Sequence, residues 1–280
     1  MKTVDKSLIK KIFKPREKWS HKGDFGSLLV IGGSKRYSGS PTFNALAAYR
    51  SGVDLVTIAA PRRAADIVAS FSPDLITYPL EGDYLNESHL DDIFLLAQNS
   101  DAVAIGDGLE RNEETLTTVK KILKGLTSPC VIDADAIHAV ATDKKVLREN
   151  FIVTPHSNEF YVLTGKKPEP DEKKRITLVK EGASKMGCII ALKGHVDVIS
   201  DGKKIMINKT GNPLMTKGGT GDTLTGICGA LLARKVDPFE AACAACYING
   251  SAGDLAAKKF GEGLMASDLI NEIPNVIKRK

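Results

Sequence analysis

Residues 217–226 read KGGTGDTLTG, a glycine-rich turn that leads directly into an apolar pattern with helical spacing. The backbone N–H groups of Gly219 to Asp222 can point into one concavity at the start of that helix, where unpaired donors and the helix dipole both favour an anion. Glycine suits this turn because a phosphate can approach a backbone that carries no Cβ atoms. The stretch therefore predicts a phosphate site, in which Asp222 is a chemically active carboxylate, a cation ligand or an ordinary first-turn acid.

Strand-like apolar runs alternate with helical patterns along the rest of the chain, which is typical of a mainly parallel sheet with helices on both faces. Several runs are continuous rather than alternating, as expected for strands that are buried on both sides. The main runs are residues 28–31, 55–59, 102–105, 130–132, 152–154 and 189–192, and a hairpin pattern follows at 196–199 and 204–207. We therefore predict one α/β domain over residues 1–280, with a mainly parallel central sheet and a short antiparallel hairpin.

Composition and charge exclude several classes of function. The formal net charge is +5, but the lysines are spread along the chain rather than gathered into a basic stripe with aromatic residues. We therefore predict no nucleic-acid partner, and an anionic small molecule accounts for the positive charge equally well. No apolar run reaches membrane-spanning length, and the first twenty residues lack the apolar segment of a signal peptide, so we predict no membrane contact and a cytoplasmic location.

The cysteines number five and lie mostly in apolar segments, which favours reduced thiols. Cys243 and Cys246 form a C-x-x-C pair, which invites a redox or zinc interpretation. The pair lies in an alanine-rich helical stretch, with no second pair and no histidine at ligand spacing. We therefore expect ordinary buried thiols at these two positions.

Polar and glycine residues follow the predicted strands, at the edge where open α/β sheets bind ligands. The first of these loops, residues 32–40, reads GGSKRYSGS and lacks the spacing of a dinucleotide fingerprint, although a nicotinamide site of that type stays an alternative. Asp133 and Asp135 can hold a hydrated cation or cap a helix. His156 is either a ligand-binding imidazole or an incidental surface residue beside a cap at Ser157 or Asn158. Lys193 places a cation where a nucleotide phosphate can bind, and the convergence of these loops beside the anion site favours an active site.

Taken in order, these loops resemble those of the ribokinase-like superfamily, and more closely those of the nucleotide-dependent NAD(P)H-hydrate dehydratases. The segment GGSKRYSGSPTFNALAAYRSGVDLVTIAAP is similar to the first βαβ unit of that family. GDGL is similar to its GPGLG loop, VIDADAI to DADAL, TPHSNEF to TPHxxEF, and GNPLMTKGGTGDTLTG to GNPxMxxGGTGDxLxG. Together with the final ASDLINEIP, the resemblance covers nearly the whole chain and implies a ribokinase-like fold.

The resemblance implies a substrate, the (6S) form of the 6-hydroxy hydrate of NADH or NADPH. ADP or ATP would phosphorylate the hydroxyl, and phosphate would then be eliminated to restore the reduced ring, because phosphate is a far better leaving group than hydroxide. With ADP, which we favour, the products would be NADH or NADPH, AMP and phosphate. Mg²⁺ is expected as a counter-charge for the phosphoryl oxygens. The resemblance also implies a homo-oligomer that works with a separate epimerase, and we expect no room in these 280 residues for the epimerase domain that some members carry in front.

Roles for individual residues are also implied by the resemblance. Asp222 would be the general base, and the amides of Gly219, Thr220 and Gly221 would face the transferring phosphoryl group. The hydrate would contact Ser40, Gly108, His156 and Asp222. The AMP portion of the nucleotide would contact Lys193, Gly194, His195, Val196, Asp197 and Gly221. The candidate Mg²⁺ ligands, acting through water, are Glu159 and Asp135.

Three positions depart from the family pattern: Asp197 stands where threonine is frequent, Ser40 where alanine is usual, and Asp107 where proline is usual. Because an aspartate repels nucleotide phosphates, we expect the Asp197 side chain to turn toward ribose or solvent.

Two alternatives to the dehydratase stay open. A vitamin or sugar kinase of the same superfamily would use the same turn but release a phosphorylated product, and a nucleotide-binding module would have no turnover, although an intact Asp222 argues against it.

Overall fold

A computed structural model describes residues 2–278, so the domain predicted for residues 1–280 is described except for Met1, Arg279 and Lys280. Its strands are β1 (Ser27–Ile31), β2 (Leu55–Pro61), β3 (Ile76–Leu80), β4 (Ala102–Ile105), β5 (Cys130–Ile132), β6 (Phe151–Val153), β7 (Ile189–Leu192), β8 (Asp197–Ser200) and β9 (Ile205–Asn208). They form one sheet in the order β3-β2-β1-β4-β5-β6-β7-β8-β9. Strands β1 to β7 are parallel, whereas β8 is antiparallel to β7 and β9 is antiparallel to β8. The predicted parallel sheet and its antiparallel hairpin are therefore confirmed.

The helices alternate with the strands as the sequence pattern predicts. They are α1 (Lys6–Ile12), α2 (Gly39–Arg50), α3 (Arg62–Phe71), α4 (Leu90–Gln98), α5 (Glu113–Gly125), α6 (Ala134–Thr142), α7 (Ser157–Thr164), α8 (Glu172–Met186), α9 (Thr220–Ala233), α10 (Pro238–Phe260) and α11 (Ala266–Ile277). Within residues 2–278 no helix has both the length and the apolar character needed to cross a bilayer.

Successive strand residues are buried on opposite faces of the sheet, which explains the continuous apolar runs. Leu28 and Val30 of β1 pack in the core beneath α1, α2, α3, α9, α10 and α11. Leu29 and Ile31 pack in the second core, beneath α4 to α8. Because both faces are covered by helices, the carboxyl ends of the parallel strands and the loops that follow them are the part of the sheet left for a site.

The backbones of helices α2 and α9 pack directly against each other. A Cβ atom on Gly226 of α9 would overlap the carbonyl oxygen of Asn44 on α2, so only glycine permits this approach. Ser40 lies four residues before Asn44, and Asp222 lies four residues before Gly226. Since residues four apart share a helix face, the contact places the first turns of the two helices side by side.

Candidate functional site

The first turn of α9 forms an open anion-binding end, as the glycine-rich stretch predicts. Gly219 is the N-cap residue, and its φ of 93° lies in the left-handed region that favours glycine. It makes no side-chain cap bond. The Thr220 amide donates weakly to the Lys217 carbonyl at 3.5 Å, and the N–H groups that follow it in the first turn have no side-chain cap, which suits an anion as their acceptor. The Thr220 hydroxyl donates to the carbonyl oxygens of Met215, at 2.9 Å, and Lys217, at 3.0 Å, and thereby holds the turn closed.

Asp222 lies in this first turn and is partly buried. The hydroxyl of Ser40 faces its carboxylate and favours the ionised form. Burial raises the pKa of Asp222 to about 6, and the negative charge of Asp133 adds to this rise, while the Ser40 hydrogen bond and the Lys193 cation oppose it. The group is therefore mainly ionised at neutral pH, yet it is a stronger base than an ordinary aspartate.

Gly108 adjoins the Ser40 side chain. A Cβ atom placed on Gly108 would lie 3.2 Å from the Cβ of Ser40 and 2.8 Å from that of Tyr37, and its φ of 73° also favours glycine. The structure thus brings together three of the residues expected to bind the substrate, namely Ser40, Gly108 and Asp222. The fourth, His156, lies on the other flank of the α9 turn.

Lys193 forms a buried ion pair on that other flank. Its Nζ donates to both carboxylate oxygens of Asp133, at 2.8 and 3.2 Å, and the Thr225 hydroxyl donates to Asp133 Oδ2 at 2.9 Å. Burial alone would lower the pKa of Lys193, but the carboxylates of Asp133 and Glu159 raise it above its ordinary value. A Cβ atom on Gly221 would lie 3.5 Å from this Nζ, so the cation stands beside the first turn of α9.

A cavity of about 680 Å³ opens next to this ion pair. Its lining includes five of the six residues predicted to contact the nucleotide: Lys193, Gly194, His195, Asp197 and Gly221. The sixth, Val196, packs against the second core. His156 and Thr220 also line the cavity, together with residues 210–213 and 215–217 and one side of α10. The predicted nucleotide residues therefore share one pocket with the open end of α9.

Asp197 has a role that its sequence position does not predict. Its carboxylate accepts hydrogen bonds from the amide of Gly194, at 3.0 Å, and from Asn208 Nδ2, at 2.9 Å. Burial raises the pKa of Asp197 to about 6, although these hydrogen bonds oppose the rise. The carboxylate thus holds the turn after β7 against β9 rather than facing open solvent, while Asp197 also lines the cavity. Its contact with ribose stays a prediction.

His156 is itself the N-cap of α7. Its Nδ1 accepts from the amides of Asn158, at 3.1 Å, and Glu159, at 3.3 Å. In return, the amide of His156 donates to Glu159 Oε2 at 2.8 Å. The alternative in which Ser157 or Asn158 caps the helix and the imidazole is incidental is therefore wrong. The Nε2 edge lies 3.3 Å from Glu159 Oε1, and the ring lines the cavity.

The two candidate metal ligands have different surroundings. Glu159 lies 3.9 Å from Lys193 Nζ, and burial raises its pKa, partly against the effect of Lys193. Asp135 accepts from Arg111 Nε at 2.8 Å and from the amide of Glu110 at 2.9 Å, so both of its oxygens are engaged. Among residues 2–278 no group of three or more His, Cys, Asp or Glu side chains could hold a metal ion by itself.

Sequence reasoning missed two buried polar residues beside Asp222. Asp107, which directly follows the Gly106 turn after β4, is 1% exposed, and so is Asn44 of α2. Asn44 Nδ2 donates to Asp107 Oδ2 at 2.7 Å. The departure of Asp107 from the GPGLG pattern was the only signal that pointed to this pair.

The cysteine pair is buried, as expected. Cys243 and Cys246 of α10 are free thiols, and burial raises the pKa of both. A high thiol pKa disfavours the thiolate that redox chemistry and metal binding need. Cys246 also lines the cavity, where it contributes a small apolar side chain.

Comparison with known proteins gives a consistent result over nearly the whole chain. The family model described as NAD(P)H-hydrate dehydratase matches residues 28–275. The bifunctional NAD(P)H-hydrate repair enzyme of Pyrobaculum aerophilum is 47% identical over 263 residues, which cover 93% of this chain and 52% of that protein. The ADP-dependent (S)-NAD(P)H-hydrate dehydratase of Nitrosopumilus maritimus is 37% identical over 279 residues, which cover 99% and 97%. This chain thus spans about half the length of the bifunctional relatives.

Solved structures show the same fold. The ADP/ATP-dependent NAD(P)H-hydrate dehydratase of Bacillus subtilis, co-crystallized with ATP/Mg²⁺, superposes with a TM-score of 0.83 at 28% identity and covers 98% of this chain and 97% of its own. A ribokinase-like superfamily protein of Enterococcus faecalis gives a TM-score of 0.84 at 24% identity, over 99% and 95% of the two chains. The predicted ribokinase-like fold is therefore confirmed.

Proposed function

This chain belongs to the NAD(P)H-hydrate dehydratase family, and we propose that it uses an adenine nucleotide to dehydrate the (6S) hydrates of NADH and NADPH. ADP is the proposed phosphoryl donor, with AMP, phosphate and the reduced nicotinamide as products, and ATP is the alternative donor. One observation carries the proposal: the Asp222 carboxylate and the Ser40 hydroxyl meet at the open N-terminus of α9, beside a cavity of about 680 Å³. A base, an anion-binding helix end and room for a nucleotide converge there.

The nucleotide occupies the cavity in this proposal. Lys193 to Asp197 and Gly221 bind its AMP portion, so that the terminal phosphoryl group reaches the amides of Gly219, Thr220 and Gly221. Because Lys193 already pairs with Asp133, the backbone amides supply most of the stabilisation of the transferring group. Removing one such donor from an active site typically costs about 3 kcal/mol of transition-state stabilisation.

The hydrate binds on the opposite flank, against Ser40 and Gly108, and His156 contacts it from the cavity side. Asp222 takes the proton of the 6-hydroxyl while the hydroxyl oxygen bonds to the terminal phosphorus of ADP and the bond from that phosphorus to AMP breaks. The lone pair of the ring nitrogen then expels phosphate as the bond from C6 to oxygen breaks. Loss of a proton from the neighbouring carbon restores the double bond, so one hydrate and one ADP give one NAD(P)H, one AMP and one phosphate.

Magnesium is part of the proposal. The ion prefers oxygen ligands and usually keeps several waters while it binds phosphates and one or two carboxylates. Both candidate ligands already have partners. Glu159 accepts from the His156 amide and lies near Lys193, and Asp135 accepts from Arg111 and Glu110, so each would hold the ion through water rather than directly. The ion would supply positive charge to the phosphoryl oxygens.

The proposal extends to partners. A homo-oligomer and cooperation with an NAD(P)H-hydrate epimerase follow the family resemblance. The relative from Pyrobaculum aerophilum is named as a bifunctional repair enzyme, which is consistent with a second activity beside this one. Light scattering on the purified protein tests the oligomeric state. Addition of an epimerase to a mixture of both hydrate epimers tests the second point, because only the epimerase would make all of the hydrate available. The cytoplasmic location stays a prediction.

The direct experiment mixes the protein with NADPH hydrate and Mg²⁺ and adds ADP or ATP in separate reactions. We expect the absorbance of reduced nicotinamide to recover at the same rate as phosphate is released. Accumulation of a phosphorylated product without reduced nicotinamide would indicate a kinase instead. Nucleotide binding without any turnover would indicate a binding module.

A further inference from the structure

Two buried side-chain oxygens lie next to the catalytic turn without a hydrogen-bond donor among residues 2–278. They are Asn44 Oδ1 and Asp107 Oδ1. The same two side chains are joined through their other atoms, since Asn44 Nδ2 donates to Asp107 Oδ2 at 2.7 Å. Buried polar atoms are rarely left unpaired, because each costs the free energy of its lost hydration. One proton placed between the two side chains would pair both oxygens at once.

We propose that Asp107 is held as a neutral carboxylic acid whose O–H donates to Asn44 Oδ1, so that the two side chains form a cyclic acid–amide pair that positions Ser40 against Asp222. Asp107 is then a positioning residue that acts through Asn44 and α2. Its catalytic consequence rests on the proposed function, whereas the location of the proton does not.

The charges around Asp107 favour the neutral form. Asp222 faces it from α9, Asp133 from the end of β5 and the Lys193 cation from the end of β7. Lys193 pairs with Asp133, so an ionised Asp107 would be a second uncompensated carboxylate beside Asp222. Burial and the charges of Asp222 and Asp133 raise the pKa of Asp107 well above its ordinary value, more than Asn44 and Lys193 lower it. A neutral Asp107 leaves Asp222 as the group that ionises, as a general base requires.

The pair of Asn44 and Asp107 is also placed so that it can fix the position of α2 relative to α9. Asn44 follows Ser40 by one turn of α2, and its carbonyl oxygen abuts Gly226, one turn after Asp222 on α9. The acid–amide pair therefore anchors α2 one turn after the place where Ser40 faces Asp222. If Asp107 lost its carboxyl group, the buried amide of Asn44 would lack partners, and α2 would shift to find them.

Two variants separate positioning from direct catalysis. Asp107→Ala removes both hydrogen bonds to Asn44, and we expect kcat to fall by at least about tenfold, because small misplacements of a catalytic group are costly. Asp107→Asn supplies a neutral group of the same shape that can donate to Asn44 Oδ1 and accept from Asn44 Nδ2. It should restore kcat to within about threefold of the wild type and leave the acidic limb of the pH profile in place. A variant Asp107→Asn as inactive as Asp107→Ala would overturn the proposal, since the carboxylate itself would then be needed.

Two further measurements need no activity. A carboxyl group whose pKa is raised by folding stays protonated while the unfolded chain ionises, so the wild type loses stability as pH rises above the ordinary value and Asp107→Asn does not. We therefore expect the variant's Tm to exceed that of the wild type by an amount that grows between about pH 5 and about pH 8. An infrared difference spectrum at neutral pH should show a protonated carboxyl band that Asp107→Asn lacks. A pH-independent Tm difference or a missing band would overturn the proton assignment, whereas an inactive wild type would overturn only the proposed function.

Discussion

Asp222 is the side chain on which the proposed chemistry depends. The change Asp222→Asn keeps its size but removes the basic carboxylate, so we expect turnover to fall about 10²- to 10⁴-fold, the usual contribution of a general base. Nucleotide affinity, measured by calorimetry with ADP, should change little, because the carboxylate faces Ser40. Asp91→Asn, at an exposed first-turn acid of α4, is the matched control and should keep full activity. Wild-type rates in Asp222→Asn would remove the general-base assignment.

The Ser40 hydroxyl lowers the pH at which Asp222 becomes a base, against the larger effect of burial. Since the pKa of Asp222 is about 6 and only the carboxylate accepts a proton, kcat/KM should rise as the pH increases through about 6. The Ser40 hydroxyl lowers this pKa, so Ser40→Ala should move the rising limb to higher pH. Profiles of kcat/KM against pH measure the shift. A limb that stayed in place or moved to lower pH would show that another group controls the rate.

His156 contributes both a helix cap and a ring that lines the cavity, and two substitutions separate these contributions. His156→Ala loses both, with about 1 kcal/mol of stability from the cap, whereas His156→Asn keeps a good capping side chain. We expect both variants to weaken hydrate binding more than nucleotide binding, and only His156→Ala to lower Tm clearly. Equal losses of affinity for the two ligands would indicate a purely structural role.

Gly226 controls how α2 and α9 pack, and with it the distance from Ser40 to Asp222. A methyl group in Gly226→Ala would overlap the carbonyl of Asn44, so the helices must separate, at a cost of about 1–3 kcal/mol for an overpacked core. Activity should fall with stability, because Ser40 moves with α2. Gly263→Ala is the control, since a Cβ atom there meets nothing within 4 Å. Urea unfolding and the dehydration assay measure both effects, and a stable, active Gly226→Ala would contradict the argument.

The sequence pattern predicted eight of the nine described strands to within about two residues, because buried strands and glycine turns leave strong local signals. It missed β3, which reads ITYPL and contains Pro79. Proline cannot donate to a sheet ladder and is tolerated at an edge, and β3 pairs only with β2 at the open edge. Ile76 at its start is exposed, so neither a periodic pattern nor a continuous apolar run marks the strand.

The order of the loops predicted which residues would converge, because parallel strands bring their carboxyl ends to one edge. The pairing of charges was beyond sequence reasoning. Lys193 and Asp133 lie 60 residues apart, and nothing local indicates that the cation binds this carboxylate before any phosphate. The same limit applies to Asp107, whose protonation depends on burial and on three charged side chains from different elements. The ion pairing of Lys193 and the protonation of Asp107 therefore depend on contacts between residues far apart in the chain, which local motifs do not indicate.

Nucleotide binding should stabilise the whole molecule, since the cavity joins the loops after β7 and β9 to α9 and α10. At a free ADP concentration of about 100 Kd, linkage predicts about 2.7 kcal/mol of stabilisation, or a rise in Tm of about 5 °C for a domain of this size. Asp254 holds one wall of the cavity, where its carboxylate accepts from the amide of Gly211 at 3.0 Å and from Asn212 Nδ2 at 2.8 Å. Asp254→Ala should loosen that wall and reduce the ADP-induced rise, while Asp254→Asn, which keeps an acceptor for Gly211, should retain more of it. Thermal melts with and without ADP make the comparison, and an undiminished rise in Asp254→Ala would place the nucleotide outside this cavity.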